Sequence, residues 1–155
     1  MRISVITPVH GGGDAFRECL AALEACTPPA FELIIVVDGG GDGSAAIAGA
    51  AGATVVELPE SVGPARARNI GAKAATGDVL LFVDADVVVP PGIIGHVAAF
   101  LQSEPGIAAV IGSYDDAPAD PGFLSQYRNL LHHYVHQTGH EDASTFWCGC
   151  GAIRR

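Results

Sequence analysis

Two aspartates separated by one residue, Asp84 and Asp86, are the most chemically suggestive feature of the 155-residue sequence. They follow the apolar run Val79–Val83, which predicts a strand buried on both faces of a parallel sheet. Because a strand rises ~3.3 Å per residue, both carboxylates would project to the same side, ~7 Å apart. Both could simply end the strand, since Asp is common in turns. A site for a hard cation such as Mg²⁺ is favoured, because paired acids after a buried strand need a charge partner.

Basic residues are scarce and clustered. Only eight residues are Lys or Arg, and Arg66, Arg68 and Lys73 fall within eight positions of one predicted helix. Arg68 could bind a phosphate or carboxylate through its forked guanidinium, and the backbone of a Gly-rich turn can approach a ligand closely. The glycines alone would indicate only tight turns. Together with the acid pair, they predict a site that binds a nucleoside diphosphate with a metal ion.

Strands and helices must alternate to place these residues at one edge of a sheet. The apolar patterns predict strands over residues 3–7, 31–37, 54–58, 79–83 and 108–114. They predict helices over residues 14–26, 45–51, 63–77, 93–102 and 123–135. We therefore expect an α/β fold, a three-layer α/β/α sandwich with a mostly parallel, doubly wound, Rossmann-like sheet, as a single domain over residues 1–155. Ligands bind such sheets at the carboxyl ends of the strands.

The last predicted helix has an apolar stripe and a histidine face. The stripe consists of Phe123, Leu124, Tyr127, Leu130, Leu131, Tyr134 and Val135. It leaves His132, His136 and His140 on the opposite side of the helix. Three histidines at this spacing could hold a metal ion, but a solvated polar face is the favoured interpretation.

Composition excludes several classes of function. A formal net charge of −9 argues against nucleic acid or an anionic membrane as the main partner. No stretch approaches the ~20 apolar residues of a membrane span, and no signal peptide is recognised. Cys19 and Cys26 are expected in the core, and Cys148 and Cys150 are too few for a zinc site, so a reducing cytoplasm is predicted. The glycine spacing at residues 10–13 does not match a dinucleotide-binding fingerprint, which excludes a Rossmann dehydrogenase.

Five segments, in their order along the chain, resemble glycosyltransferase family 2, whose members have the GT-A fold. They are ISVITPV (3–9), FELIIVVD (31–38) with DGS (42–44), GPARARNIG (63–71), GDVLLFVDAD (77–86) and GCGAIRR (149–155). The resemblance implies transfer of a sugar, with inversion, from a nucleotide-diphosphate donor to an acceptor hydroxyl. The implied partners are a UDP- or GDP-linked donor, a Mn²⁺ or Mg²⁺ ion, and a glycan, lipid or other hydroxyl acceptor.

The resemblance also implies roles for individual residues. Thr7, Pro8 and Val9 would line the nucleoside pocket, Asp38 would contact the base or ribose, and Arg68 would lie near the nucleotide. The segment Asp84-Ala85-Asp86 would be the D-x-D motif that touches the ribose and the metal ion. On the acceptor side, the bordering residues would be Trp147, Cys148 and Gly149. In the full-length protein, the cytoplasmic domain could lie at the inner face of the membrane.

The sequence departs from the family pattern at two places. The family often has two consecutive acids where this chain has Asp38-Gly39, and the second acid commonly helps to read the base. The family's general base lies downstream of the segment ending in Arg154-Arg155, so we expect the chain to be truncated on its acceptor side. Glu141-Asp142 lies upstream of that segment and is interpreted as a loop pair.

Two other functions are open to this sequence. The chain could be a binding module that holds nucleotide and metal without turnover, which an assay of sugar transfer against donor binding would distinguish. It could also be a sugar-1-phosphate nucleotidyltransferase, but that activity calls for a Gly-rich loop with a basic residue directly after the first strand. Residues 10–14, HGGGD, contain no Lys or Arg.

Overall fold

Strands and helices alternate along the chain as the apolar patterns predict. The structure is a computed structural model that describes residues 1–118, 120–139, 146 and 149–155. The strands are β1 (Ile3–Val9), β2 (Glu32–Asp38), β3 (Thr54–Leu58), β4 (Val79–Val83), β5 (Ala109–Ile111) and β6 (Cys150–Arg154). The helices are α1 (Gly13–Glu24), α2 (Ser44–Ala50), α3 (Pro64–Ala74), α4 (Ile93–Ser103) and α5 (Phe123–Thr138). Every predicted helix and strand is present, with ends within three residues of the predicted ones.

The strands form one sheet in the order β3-β2-β1-β4-β6-β5. β1 pairs in parallel with both β2 and β4, and β2 pairs in parallel with β3. β6 runs antiparallel to both of its neighbours, β4 and β5. β2 and β3 extend the sheet on one side of β1, whereas β4 begins the other side. The direction in which the chain adds strands therefore reverses between β1 and β4. The crevice at the carboxyl ends of these two strands is where sheets of this kind bind ligands.

Helices cover both faces of the sheet, which confirms the predicted three-layer α/β/α fold. One face packs against α1, α2 and α4, and its core includes Phe16 of α1 and Leu81 of β4. The other face packs against α3, where Ala67 lies among apolar side chains of β1, β2 and β4. A Cβ atom on Gly71 would lie 2.5 Å from the Cγ2 atom of Ile6. The absence of a side chain at Gly71 therefore lets α3 pack directly on the sheet.

β1 continues beyond its predicted end and includes Pro8. Proline has no N–H group, so the sequence predicts that it closes the strand. In the structure, Pro8 is in register with Val36 of β2, whereas β4 pairs with β1 only from Ile3 to Ile6. At Pro8 the strand has a partner on one side only, which is where proline is tolerated. The separation of β1 from β4 beyond Ile6 also opens the crevice between them.

The sheet beyond β4 differs from the prediction. The fifth strand, predicted over residues 108–114, is only Ala109–Ile111. The segment Cys150–Arg154, for which the sequence pattern predicts no strand, is inserted between β4 and β5. Its sequence, CGAIR, has no apolar alternation, and it becomes a strand because pairing with two neighbours satisfies its backbone N–H and C=O groups.

The prediction for α5 is wrong in the orientation of its two faces. The apolar stripe is exposed, from 42% at Leu130 to 85% at Phe123, and no described residue of the helix is buried. The histidine face points towards the domain instead: the ring of His132 stacks against Tyr114, and the ring of His136 lies tilted against it, with centroids 6.0 Å apart. Polar side chains also join the helix to the preceding loop, as when His133 Nδ1 donates to the carbonyl oxygen of Tyr114. Within the described ranges, neither α5 nor any other helix is long and apolar enough to cross a bilayer.

Candidate functional site

A cavity of about 550 Å³ lies at the crevice between β1 and β4. It is lined by Pro8, His10, Gly11, Gly12, Ala15, Pro64, Arg68, Asp84, Ala85 and Asp86. These residues lie at the end of β1, in the turn and first residues of α1 that follow it, in the first half of α3, or directly after β4. The topology of the sheet thus brings the acid pair, the Gly-rich turn and Arg68 to one cavity, although they lie far apart in sequence.

The backbone around the acid pair is held by hydrogen bonds on both sides. The amide of Asp84 donates to the carbonyl oxygen of Gly149 at 2.8 Å. The carbonyl oxygen of Asp84 accepts from the amide of Val87 at 3.0 Å and from Cys19 Sγ at 3.4 Å. Burial raises the pKa of the Cys19 thiol to about 12, so it stays protonated and can donate. These contacts fix the turn from which both carboxylates enter the cavity.

The donor atoms of this turn fit a hard divalent cation. Asp84 and Asp86 both line the cavity, and Asp86 is an exposed carboxylate with no hydrogen bond or ion pair in the described part of the chain. No cluster of three or more His, Cys, Asp or Glu side chains suited to a metal ion occurs among the described residues. Two carboxylates leave most coordination positions open. This is the arrangement in which Mg²⁺ is shared between one or two carboxylates, water and the phosphates of a substrate.

Arg68 forms an ion pair with Asp84, through its Nη2 atom and the Oδ1 atom of the carboxylate. Arg68 lies in the second turn of α3, which begins after Gly63 with Pro64 as its first residue. Gly63 has a φ of 85°, a conformation that favours glycine, and proline is suited to the first helical position. Pro64 and Arg68 both line the cavity, so the N-terminal end of α3, where a helix favours an anion, borders it.

Asp38 fixes the loop that leads into α3. Its carboxylate accepts from the amides of Val62 at 2.6 Å and Gly63 at 2.9 Å, and from the hydroxyl of Ser61 at 3.2 Å. The Val62 amide has the largest effect on the pKa of Asp38, and with the other two donors it lowers that pKa against the opposing effect of burial. Asp38 is 3% exposed, so it acts here as a buried anchor for residues 61–63.

The departure from the family pattern at Gly39 has a structural reason. This residue has a φ of 82°, and a Cβ atom there would lie 3.1 Å from the backbone nitrogen of Ser61. A second acid at this position would therefore be strained and crowded against the loop that Asp38 holds.

The Gly-rich turn after β1 is held by hydrogen bonds of His10 and Asp42. His10 Nδ1 lies 2.6 Å from the carbonyl oxygen of Asp38 and must donate to it, since a carbonyl oxygen only accepts. The Nε2 atom takes no part in this bond. Asp42 accepts from the amide of Gly12 at 3.0 Å and from the amide of Ser44 at 2.9 Å. Asp42 thereby joins the turn after β1 to the N-terminus of α2. Its D-G-S spacing, typical of a helix start, is the one sequence signal for this role.

A second cavity of about 140 Å³ shares Arg68 and Asp84 with the first. Its other lining residues are Phe82, Tyr114, His136, Phe146 and Gly149. The rings of Phe82 and Phe146 meet edge to face, with centroids 6.1 Å apart. Burial, and then the neighbouring His132 and His133, lower the pKa of His136, which favours a neutral ring beside this cavity. No sequence pattern places α5 at the site, because its apolar stripe suggests the opposite orientation.

The structure brings together some of the predicted site residues and not others. Pro8, Arg68, Asp84, Ala85 and Asp86 line the larger cavity, and Gly149 lines the smaller one. The side chains that line neither cavity are Thr7, Val9 and Asp38, all of which are buried. The Thr7 hydroxyl has no hydrogen-bond partner in the described part of the chain. The predictions for His140, Glu141-Asp142, Trp147 and Cys148 lie outside the described residues.

Known proteins resemble this chain in sequence. The sequence matches the model of the family described as Glycosyl transferase family 2 over residues 4–155. The glycosyltransferase YibD of Escherichia coli (strain K12) is 42% identical over 94 residues, which cover 58% of this chain and 27% of that protein. An undecaprenyl-phosphate 4-deoxy-4-formamido-L-arabinose transferase of Klebsiella pneumoniae is 26% identical, covering 99% of this chain and 49% of the relative. The chain thus spans about half or less of the length of these relatives.

Solved structures share the fold. TarS of S. aureus in complex with UDP-GlcNAc matches with a TM-score of 0.70 and 25% identity, covering 79% of this chain and 37% of that one. A mannosyltransferase of Pyrobaculum calidifontis, in complex with GDP-Man and Mn²⁺, matches with a TM-score of 0.74 and 23% identity. That match covers 99% of this chain and 44% of the mannosyltransferase. The predicted GT-A type of fold is thereby confirmed.

Proposed function

Because the chain belongs to glycosyl transferase family 2, we propose that it forms the donor-binding part of a metal-dependent, inverting glycosyltransferase. The donor is a nucleotide-diphosphate sugar, UDP- or GDP-linked, and the acceptor is a hydroxyl group of a glycan, a lipid or another molecule. The observation that carries the proposal is the larger cavity, where Asp84, Asp86, Arg68 and the N-terminus of α3 meet. We place this part of the protein in the cytoplasm.

The diphosphate of the donor would bind where positive charge is concentrated in an otherwise acidic chain. Pro64, the first residue of α3, and Arg68 both line the larger cavity, so the N-terminal end of the helix and a guanidinium would be available to the diphosphate. The backbone at Gly11 and Gly12 lines the same cavity, and neither residue has a side chain to hold a ligand away. Pro8 and His10 border the part of the cavity next to β1, where the nucleoside would lie.

Asp84 and Asp86 would hold a Mn²⁺ or Mg²⁺ ion together with the diphosphate. Such an ion offsets the negative charge that develops on a departing diphosphate. The aspartates themselves fix the orientation of the bound diphosphate relative to the turn after β4. The rigid backbone of that turn supports this role, because it holds both carboxylates ready for the ligand.

The smaller cavity is proposed as the acceptor side, next to the sugar of the donor. Phe82, Phe146 and Tyr114 give it apolar walls, and Gly149 belongs to the segment that sequence resemblance places near the acceptor. Asp84 is the one carboxylate among its described lining residues, and it is engaged by Arg68. Asp115 and Asp116 follow β5 and are the acids after Asp86 that could face the site as a general base, but neither lines this cavity. We therefore expect these 155 residues to bind a donor but to transfer its sugar slowly.

Two measurements test the proposal. The first is calorimetry of UDP and GDP binding with Mn²⁺ and with EDTA, in which equal affinity under both conditions would exclude the metal role of the acid pair. The second compares donor binding with sugar transfer on a panel of acceptors. Binding without turnover favours the alternative of a nucleotide-binding module, and no binding of either nucleotide would exclude both functions.

A further inference from the structure

The Arg68–Asp84 ion pair lies between the two cavities and occupies a carboxylate that a metal ion would need. We propose that Arg68 is an internal counter-ion, which neutralises Asp84 in the free chain and releases it to the metal ion when the diphosphate of a donor binds the guanidinium. Arg68 would then couple metal binding to donor binding. This inference rests on the proposed function, since it assumes that Asp84 and Asp86 hold a metal ion.

The charges around the acid pair support this role. Asp84 and Asp86 enter the same cavity, but the described structure gives an ion pair to Asp84 and none to Asp86. The chain carries a net charge of −9, so an unneutralised pair of close acids would be costly in the absence of a ligand. The ion pair with Arg68 offsets the charge of Asp84 and so weakens this repulsion. A divalent cation that approached Asp84 would have to displace the guanidinium or bind beside it, and like charges at that distance repel.

The surroundings of Arg68 show which part of it can move. α3 is held against the sheet by buried Ala67 and by the close approach of Gly71 to Ile6, so the helix itself is fixed. The Arg68 side chain, in contrast, is 27% exposed and lines both cavities. A rotation of this side chain is therefore enough to exchange one anionic partner, the carboxylate, for another, the diphosphate.

This exchange makes the binding of metal and nucleotide cooperative. The nucleotide draws the guanidinium away and so raises the affinity of the acid pair for the metal, and linkage requires the metal to raise nucleotide affinity by the same factor. Without nucleotide, Arg68 should weaken metal binding. With nucleotide, it should strengthen the complex, because the guanidinium then neutralises the diphosphate.

The test measures Mn²⁺ affinity from the electron paramagnetic resonance signal of free Mn²⁺, with and without saturating UDP. The variant is Arg68→Met, which removes the charge without adding an oxygen ligand. The matched control is Arg66→Met, which removes the same charge from an exposed position of the same helix. Without UDP, we expect Arg68→Met to bind Mn²⁺ about three- to tenfold more tightly than the parent, and Arg66→Met to stay within about twofold. The expected fold-change in Mn²⁺ affinity is the one that follows if Mn²⁺ no longer has to break a partly exposed ion pair in order to bind. With UDP, the advantage of Arg68→Met should disappear or reverse.

The outcomes separate the two proposals. If the parent binds no Mn²⁺ even with UDP, the metal role of the acid pair is wrong. If the parent binds Mn²⁺ but Arg68→Met and Arg66→Met behave alike without UDP, the metal role stands and the counter-ion role of Arg68 is overturned. In the Asp84→Asn background, Arg68→Met should no longer change the Mn²⁺ affinity, because the carboxylate for which Arg68 and Mn²⁺ compete is then absent. Arg68→Lys, which keeps the charge but cannot fork, should give an intermediate affinity and serves if Arg68→Met does not fold.

Discussion

Replacing Asp38 by Asn should destabilise the chain by removing the buried anchor of the loop that precedes α3. The two side chains have nearly the same shape, so the change tests hydrogen bonding and charge rather than packing. The amide oxygen of Asn can keep one bond, to Val62 N or to Gly63 N. The NH₂ group of Asn then faces the other backbone N–H. Both groups are donors, so this buried N–H loses its hydrogen bond.

The magnitude follows from these contacts. One bond to a charged acceptor becomes a neutral bond, and one backbone N–H is left without an acceptor, at a cost of about 1–3 kcal/mol for the unsatisfied group. Together these effects predict a loss of about 2–4 kcal/mol from the free energy of unfolding at pH 7. Since residues 61–63 lead into α3, nucleotide affinity should fall as well.

The effect should also depend on pH in a defined direction. The pKa of Asp38 is lowered in the folded chain, so the carboxylate stabilises the fold fully above its ordinary pKa of ~3.9. This stabilisation is lost as the pH falls through the lower, folded-state pKa. The difference between the parent and Asp38→Asn should therefore be greatest at pH 5–7 and should shrink below about pH 4.

Urea denaturation between pH 3 and pH 7 measures both predictions. Asp116→Asn is the control, because it makes the same chemical change at an exposed position and should alter stability by less than ~0.5 kcal/mol. The interpretation of Asp38 as an anchor would be refuted by a loss at pH 7 no larger than that of the control. A loss that stays constant down to pH 3 would contradict the assigned pKa shift.

Three further predictions concern packing and the metal site. Gly71→Ala should lower the free energy of unfolding by about 1–3 kcal/mol, because its Cβ atom would lie 2.5 Å from Ile6 Cγ2. Gly49→Ala is the control: this residue of α2 has open space around it, so the substitution should be neutral or stabilising by up to ~1 kcal/mol. A similar melting temperature for both variants would contradict the close packing of α3. Phe123→Ser should change stability by less than ~0.5 kcal/mol because that side chain is 85% exposed, and a loss of ~2 kcal/mol or more would mean that the apolar face of α5 is buried. Asp86→Ala should abolish the dependence of UDP binding on Mn²⁺ in calorimetry while leaving the melting temperature unchanged or higher, since close acids repel one another; unchanged Mn²⁺-dependent binding would remove Asp86 from the metal site.

Local sequence pattern is sufficient to predict most elements and several of the residues that line the larger cavity. The buried run Val79–Val83 predicts a strand that ends at an acid pair, and β4 has those bounds. The expectation that strand geometry directs both carboxylates is wrong, because Asp84 and Asp86 lie in a turn, closed by the hydrogen bond from the Val87 amide to the Asp84 carbonyl oxygen. The alternation of strands and helices implies a parallel sheet, and parallel strands bring their carboxyl ends to one edge. The pattern alone therefore predicts that Pro8, Arg68 and the acid pair lie near one another.

Contacts between segments that carry no local signal depend on the tertiary structure. The short segment Cys150–Arg154 is a strand only because β4 and β5 offer it partners on both sides. For α5, the sequence periodicity shows that the apolar stripe and the histidines lie on opposite faces of the helix. It does not show which face packs against the domain, because that depends on contacts with distant residues such as Tyr114. Arg68 is expected to bind an anion, but whether that anion is a ligand or Asp84 depends on the distance between α3 and the end of β4. Local sequence sets which groups can interact, and long-range packing sets which of them meet.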